Sequence, residues 1–261
     1  MKILAVETAT SRQSVALLDG ARVLARSDEE AAGAHARWLI PTIDRLLRAC
    51  GLTLSGLEGL AVSIGPGSFT GLRVGLATML GFRTITQLPL AVVPTLEGMA
   101  WNLRGASMPL CPVLNSRRGE LYWAVFQWMS HDRLERMAPE QVGQPVALGK
   151  QLNGPITIYG EGWQREQAAI RAAMVATVTI TEATDRMKPS AVSVGLAGIA
   201  RLQRGERAGV GVSPLYVQRP EAELKYEQSG GVSPVAHRQE KVARKLKNRT
   251  ALAGARARRK A

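Results

Sequence analysis

Short apolar runs separated by polar turns fill the first third of the chain, and their spacing changes from strand-like to helix-like along it. Lys2–Glu7 (KILAVE) and Ser14–Asp19 (SVALLD) each read as a strand. Asp19-Gly20 is a strong hairpin signal, because the tight turn needs positive φ, so Arg22–Arg26 reads as a third strand antiparallel to the second. A helix is expected over His35–Cys50, with Leu39, Ile43, Leu46, Leu47 and Cys50 on one face. Pro41 falls inside it, so the helix either kinks there or begins there with Pro41 in its first turn. Leu60–Ile64 is a run of the buried parallel-strand type, followed by a glycine loop and a helix from about Thr70 to Arg83. Leu90–Val93 is another buried strand, and Thr95–Leu103 a short helix.

The second half repeats this theme in reduced form. Pro109–Leu114, an Arg118-Gly119 turn and Glu120–Trp128 read as a second hairpin. Val146–Leu152 is a helical turn, Thr157–Tyr159 a strand and Glu166–Met174 a helix. A last helix starts at Pro189-Ser190 and runs to about Arg204, where Gly205 stops it. The order at the start, βββαβαβ, permits an α/β fold of the ribonuclease-H-like or actin-like kind, with two lobes. The domains are therefore expected at 1–105, a first lobe, and at 106–222, a reduced second lobe whose helix 190–204 packs back on the body.

Composition adds a compartment and a tail. With 46% hydrophobic and 21% charged residues, the 261-residue chain has the balance of a soluble globular protein, and no apolar run is long enough to span a bilayer. Two unpaired cysteines, Cys50 and Cys111, and an N-terminus without signal-peptide features point to a reduced, cytoplasmic setting. The formal net charge is +13, and the segment 223–261 holds eleven Lys/Arg against three acids, which places most of the excess there. Such a tail, read as flexible, suits a polyanion such as RNA; the plainer reading is a solvated end.

Two features of the middle region carry candidate chemistry. Gly65, Gly67 and Gly71 with Pro66 form a turn at the carboxyl end of a strand, where backbone N–H groups and the helix dipole suit an anion. The loop is neither a Walker loop, lacking Gly-Lys-Ser/Thr, nor the dinucleotide fingerprint, its spacing being GxGxxxG; a mere tight turn is the reading that comes ahead of phosphate binding. The helix that follows is apolar almost all round, its polar residues being Thr70, Arg73, Thr78 and Arg83, so it must be covered on more than one side. Gly71 and Gly75 stand one turn apart, and a mid-helix glycine costs about 1 kcal/mol relative to alanine, which suggests close approach by another helix. Burial inside its own lobe would explain one face of this helix but not both.

Four blocks in order, ILAVETATSRQSVALLDG, HARWLIPTIDRLL, GPGSFTGLRVGLATMLG and NSRRGELYWAVF, closing with SPLYVQRP, resemble the TsaB (YeaZ) family from Met1 to about Arg219. The resemblance implies an actin-like ATPase-superfamily fold and a catalytic paralogue, TsaD, as partner, with the ATPase TsaE joining them. Together they place threonylcarbamoyl on N6 of the adenosine beside the anticodon in tRNAs reading codons that begin with A. It further implies that the helices at 35–50 and 70–83 form the surface packing on TsaD, through His35, Leu39, Ile43, Leu46, Gly71, Leu72, Gly75, Leu76 and Met79. The same surface can make a homodimer.

The resemblance also implies that this chain is not the catalyst. In TsaD two histidines four apart, in a segment similar to VNHLEGH, hold a metal; Thr95 and Met99 stand at those positions here. His35, His131 and His237 are too far apart in sequence for a local metal motif. Nucleotide loops would be vestigial at Glu7, Gly65, Gly67, Asn115 and Gly160, Asn115 replacing an acid that many relatives carry. No catalytic residue, metal or cofactor is therefore expected on this chain alone, with ATP placed at the level of the complex. In the tail, Arg244, Lys245, Lys247, Arg256, Arg258 and Arg259 are the expected tRNA contacts, through phosphates rather than stacking. An actin-like small-molecule kinase and a stand-alone RNA-binding protein are the competing functions.

Overall fold

β1 (Lys2–Glu7) pairs antiparallel with β2 (Arg12–Asp19), from Lys2 opposite Asp19 to Glu7 opposite Ser14. The structure is a computed structural model that describes residues 1–31, 33–175, 178–183, 188–218 and 226. Gly20 turns the chain at a φ of 57° into β3 (Arg22–Glu30). β3 outruns the expected Arg22–Arg26 because its polar end, Ser27–Glu30, pairs along β2 as far as Arg12. It is an edge strand, and ladder bonding there does not require apolar side chains.

α1 (His35–Ala49) passes through Pro41 rather than starting at it. β4 (Gly59–Ser63), α2 (Phe69–Thr86) and β5 (Leu90–Val93) follow, and β4 and β5 extend the sheet in parallel to give the order β3-β2-β1-β4-β5. Alternation along the strands sets the two faces. Leu4, Val6, Val15 and Leu17 point to α1 and α2, while Ile3, Ala5, Ala16 and Leu18 point the other way. Ser68 caps α2, accepting a hydrogen bond from Gly71 N at 3.2 Å.

α3 (Thr95–Ala100) and a 3-10 turn at Trp101–Leu103 lead to the second sheet. β6 (Leu110–Asn115), β7 (Leu121–Ser130) and β8 (Arg133–Gly143) form an antiparallel meander. After α4 (Pro145–Gln151), β9 (Ile156–Tyr159) joins β6 in parallel, and after α5 (Glu161–Ala173), β10 (Ile180–Glu182) joins β9. The order β10-β9-β6-β7-β8 repeats the plan of the first sheet with shorter parallel strands. This repeated meander-plus-parallel plan is the actin-like, ribonuclease-H-like fold expected from the sequence. β8 and β10 have no legible signal in the sequence: RLERMAPEQVG carries four charges and Pro139, and only its pairing with β7 makes it a strand. α5 begins at Glu161, five residues before the expected Glu166.

α6 (Ala191–Gln203) returns to the first sheet on the face opposite α1 and α2. Gly195 and Gly198 make the approach close: a Cβ at Gly198 would lie 2.5 Å from Ala61 Cβ, and one at Gly195 2.5 Å from a Leu18 methyl. α3, Trp101 and α6 share one core with Leu110, Phe126 and Trp128 of the second sheet, so both sheets belong to one compact unit, Met1–Val217. The expected line at 105/106 separates two sheets within that unit. Gln218–Ala261 is a second unit, and the tail cations at 244–259 lie outside the described residues.

Between α6 and Val217 the chain straps the first lobe. Ala208 N donates to Leu90 O at 2.7 Å and Leu215 N to Ile64 O at 2.6 Å. The strap ends in a clamp on α2, where Tyr216 stacks on Phe69 with centroids 5.3 Å apart. The Arg73 guanidinium lies 3.7 Å over the Phe69 ring, and its Nε donates to Tyr216 Oη at 2.9 Å. Tyr216→Ala is expected to lower unfolding stability by about 1 kcal/mol, the usual worth of such a partly exposed stack, read as a shift in the urea midpoint at constant slope.

Candidate functional site

Three loops meet where the two sheets face each other. Thr10 and Ser11 from the β1–β2 loop, Gly67 and Ser68 before α2, and Asn115 at the end of β6 with Arg117 beyond it line a cavity of about 260 Å³. Glu161, at the start of α5, closes it, 3.8 Å from Lys188 Nζ. Of the five residues expected at nucleotide loops, Gly67 and Asn115 line this cavity.

The other three serve the fold. Gly65 has φ 117°, and a Cβ there would lie 2.5 Å from the Leu215 carbonyl of the strap. Gly160, at φ 112°, lets the β9–α5 turn cross the backbone of Val113. Glu7 is 1% exposed and lies behind the β1–β2 loop, where its carboxylate accepts the Ala9 amide. Burial pushes its pKa up to about 7, against the lowering effect of the Ala9 and Thr8 amides and of Ser63.

The glycine loop binds its own chain. Ser68 N donates to Ala9 O at 2.6 Å, and a Cβ at Gly67 would run into that same carbonyl. Gly71 N is engaged by the Ser68 cap, so two of the loop amides that an anion could use are already paired.

Thr95 and Met99 are both fully buried, Thr95 N donating to Gly65 O at 2.7 Å. Among the described residues no group of three His, Cys, Asp or Glu is close enough to hold a metal ion.

The residues expected at a partner interface occupy the inner face of α1 and α2. His35, Leu39, Ile43, Leu46, Leu72, Leu76 and Met79 are all buried, as are Gly71 and Gly75. The reading of the two glycines as a contact for a partner helix is corrected by what they meet. A Cβ at Gly71 would strike the Thr8 carbonyl, and one at Gly75 the Thr8 hydroxyl. Both glycines admit the β1–β2 loop, which Thr8 ties down by donating Oγ1–H to Gly71 O at 2.9 Å. His35 fixes the same loop through Nε2 at 3.0 Å from Thr10 O.

The uncovered apolar positions are others: Trp38, 45% exposed, and Ile40 on α1, and Ala77, Gly81 and Ile85 on α2, Ile85 being 80% exposed. The sequence carried a signal for those on α2, since 77, 81 and 85 recur every four residues, on the side opposite 72, 75, 76 and 79.

Comparison with known proteins agrees with this architecture. A family model described as TsaD, tRNA N6-adenosine threonylcarbamoyltransferase, matches residues 27–226. The Escherichia coli (strain K12) protein named tRNA threonylcarbamoyladenosine biosynthesis protein TsaB is 35% identical over 173 residues, covering 63% of this chain and 73% of that one. The Bacillus subtilis (strain 168) protein of the same name is 27% identical over 234 residues, covering 88% and 99%. A Pseudomonas aeruginosa crystal structure, described as an uncharacterized protein with similarity to peptidase YEAZ, superposes with a TM-score of 0.70 at 25% identity, covering 83% of this chain and 99% of that one. Sequence, family model and fold converge, and the chain belongs to the TsaB (YeaZ) family.

Proposed function

We propose that this protein is the non-catalytic assembly subunit of the complex that adds threonylcarbamoyl to N6 of the adenosine beside the anticodon in tRNAs reading codons that begin with A. The observation that carries this reading is the outer face of α1 and α2. Ala77 and Ile85 on α2, with Trp38 on one flank of the adjacent α1 and Ile40 on the other, leave apolar positions exposed on helices that already cover their own sheet. That surface supports docking of the TsaD-type catalytic paralogue, or of a second copy when the paralogue is absent. The names of the relatives support the pathway, and the family model is that of the transferase itself. The enclosed Glu7, and Thr95 and Met99 in place of a histidine pair, support leaving the chemistry to the paralogue.

In this reading TsaE and ATP act at the level of the assembled complex in the cytoplasm. The basic segment from residue 223 adds non-specific phosphate contacts to tRNA. Among the described residues no helix is long and apolar enough to cross a membrane.

Ala77→Glu tests the docking face. The side chain is exposed, so the isolated chain should keep its unfolding midpoint while losing co-purification with the paralogue and its support of tRNA threonylcarbamoylation. Wild-type levels of both would rule out this face. Full threonylcarbamoylation by the paralogue and TsaE with no copy of this chain present would rule out the function.

A further inference from the structure

Two cavities of about 460 and 420 Å³ adjoin along the outer side of α6 and share Trp101 and Leu196. They follow the seam between the two sheets, on the face of the first sheet opposite α1 and α2. The interface proposed above therefore does not explain them. Their floor is apolar: Val192, Leu196 and Ala200 recur every four residues on the one stripe of α6 that the sheet leaves partly open. Beneath them Trp101, 5% exposed, packs edge-on against Trp128.

The rim is basic at both ends. Arg12, Arg26 and Lys188 line one cavity, and Arg104 and Arg204 the other, against two lining carboxylates, Asp28 and Asp132. At the first end the ion pairs are loose. Arg12 and Arg26 share Asp28 at 3.8 and 4.0 Å, and Lys188 stands 3.9 Å from Glu30 and 3.8 Å from Glu161. At the second end the cations are held: Arg104 pairs with Asp132 and donates Nε–H to His131 O at 2.9 Å, and Arg204 Nε donates to Glu206 at 2.7 Å. The distances at the first end exceed hydrogen-bonding range, so a better-placed acceptor there gains charge-assisted bonds with little to displace.

From this arrangement we infer that the α6 seam is a docking groove for an acidic segment of a partner protein, anchored by an apolar side chain over Leu196 and Trp101, with carboxylates reaching Arg12, Arg26 and Lys188 at the first end. Charge complementarity selects that occupant. The chain's own 223–261 segment is strongly basic and a second copy carries a net +13, so both meet like charge at the rim. An RNA strand would satisfy the cations but not the apolar floor, since Trp101 is too enclosed to stack a base.

The test is fluorescence anisotropy on the full chain with a labelled amphipathic peptide, glutamate on one face and leucine on the other. Its lysine-for-glutamate counterpart and poly(A) serve as comparisons. The acidic peptide should bind in a salt-sensitive manner. The double variant Arg26→Glu/Lys188→Glu should weaken it about tenfold. Ala77→Glu, on the other face, should leave it unchanged. Leu196→Glu should abolish binding; should its melting show an unfolded chain, the double variant decides, because both of its side chains are exposed. The inference is overturned if the lysine peptide binds as well as the acidic one, if the double variant binds it with wild-type affinity, or if poly(A) displaces it.

Discussion

Alanine at Gly71, Gly75 and Gly81 of α2 is expected to give three different stabilities within one helix. All three changes gain helix propensity worth up to about 1 kcal/mol. At Gly81 nothing lies within 4 Å of the new methyl, so the gain should appear as a rise in stability. At Gly75 the methyl meets the Thr8 hydroxyl, a side chain that can rotate. Rotation breaks its bond to Gly71 O, worth about 1 kcal/mol, and the result should be close to neutral. At Gly71 the methyl meets the Thr8 carbonyl, which is backbone. That backbone is pinned by Glu7 on the Ala9 amide, by Ser68 N on Ala9 O and by His35 at Thr10 O. The overlap cannot relax locally, and a loss of about 3 kcal/mol is expected, read from urea midpoints. If these glycines instead admitted a partner helix, Gly71→Ala would be as stable in isolation as Gly81→Ala and would fail only in association. Equal midpoints would therefore show that Thr8 is not the group for which Gly71 makes room.

Replacing Glu7 by glutamine should make the protein more stable at pH 8 and little different at pH 4.5. A carboxyl whose pKa rises from 4.5 to about 7 on folding binds its proton more tightly in the native state. Its contribution is fully present below the unfolded value, falls as the pH rises from 4.5, and is flat above about 7. The shift corresponds to a loss of about 3 kcal/mol across that window. Glutamine keeps an oxygen for the Ala9 amide and has no charge to desolvate, so the variant should lack this slope. Glu29 and Glu206 act in the opposite sense: each has a lowered pKa, from the Ser27 hydroxyl and from Arg204 respectively, and loses stability in acid. The diagnostic is thus the difference between wild type and Glu7→Gln in chemical unfolding across the pH range. A difference that does not change between pH 5 and pH 7.5 would mean that Glu7 stays ionised in the fold. The same burial bears on function, because a carboxyl enclosed behind residues 8–11 is not presented to a ligand in the cavity beside it.

Much of the fold was legible because it rests on local periodicity. β1, β2, β4, β5 and the helices α1, α2 and α6 fall within a few residues of where hydrophobic spacing, the Asp19-Gly20 turn and the Gly205 stop place them. β8 was invisible for the opposite reason. Arg133–Gly143 is an edge strand whose state depends on bonds to β7, not on its own side chains. The last residues of β3 were missed on the same ground.

The burial of α2 was legible in part. From sequence, α2 announces itself as a helix needing cover on more than one face, and Gly71 and Gly75 as points of close approach. Only the packed structure shows that the approaching group is Thr8 of the same chain. It also shows that Leu72, Leu76 and Met79 face inward and that the exposed small and apolar positions of α2 are Ala77, Gly81 and Ile85. A periodic pattern fixes which residues share a face but carries no sign saying which face meets the core when both are apolar; that is decided by the sheet beneath. The order of the four blocks determined the family and the repeated two-sheet plan. Tertiary structure alone decided that Glu7 is sealed away, that the glycine loop is zipped to the β1–β2 loop, and that α6 leaves a basic-rimmed seam. Each of these depends on contacts between residues far apart in the chain, which no local pattern encodes.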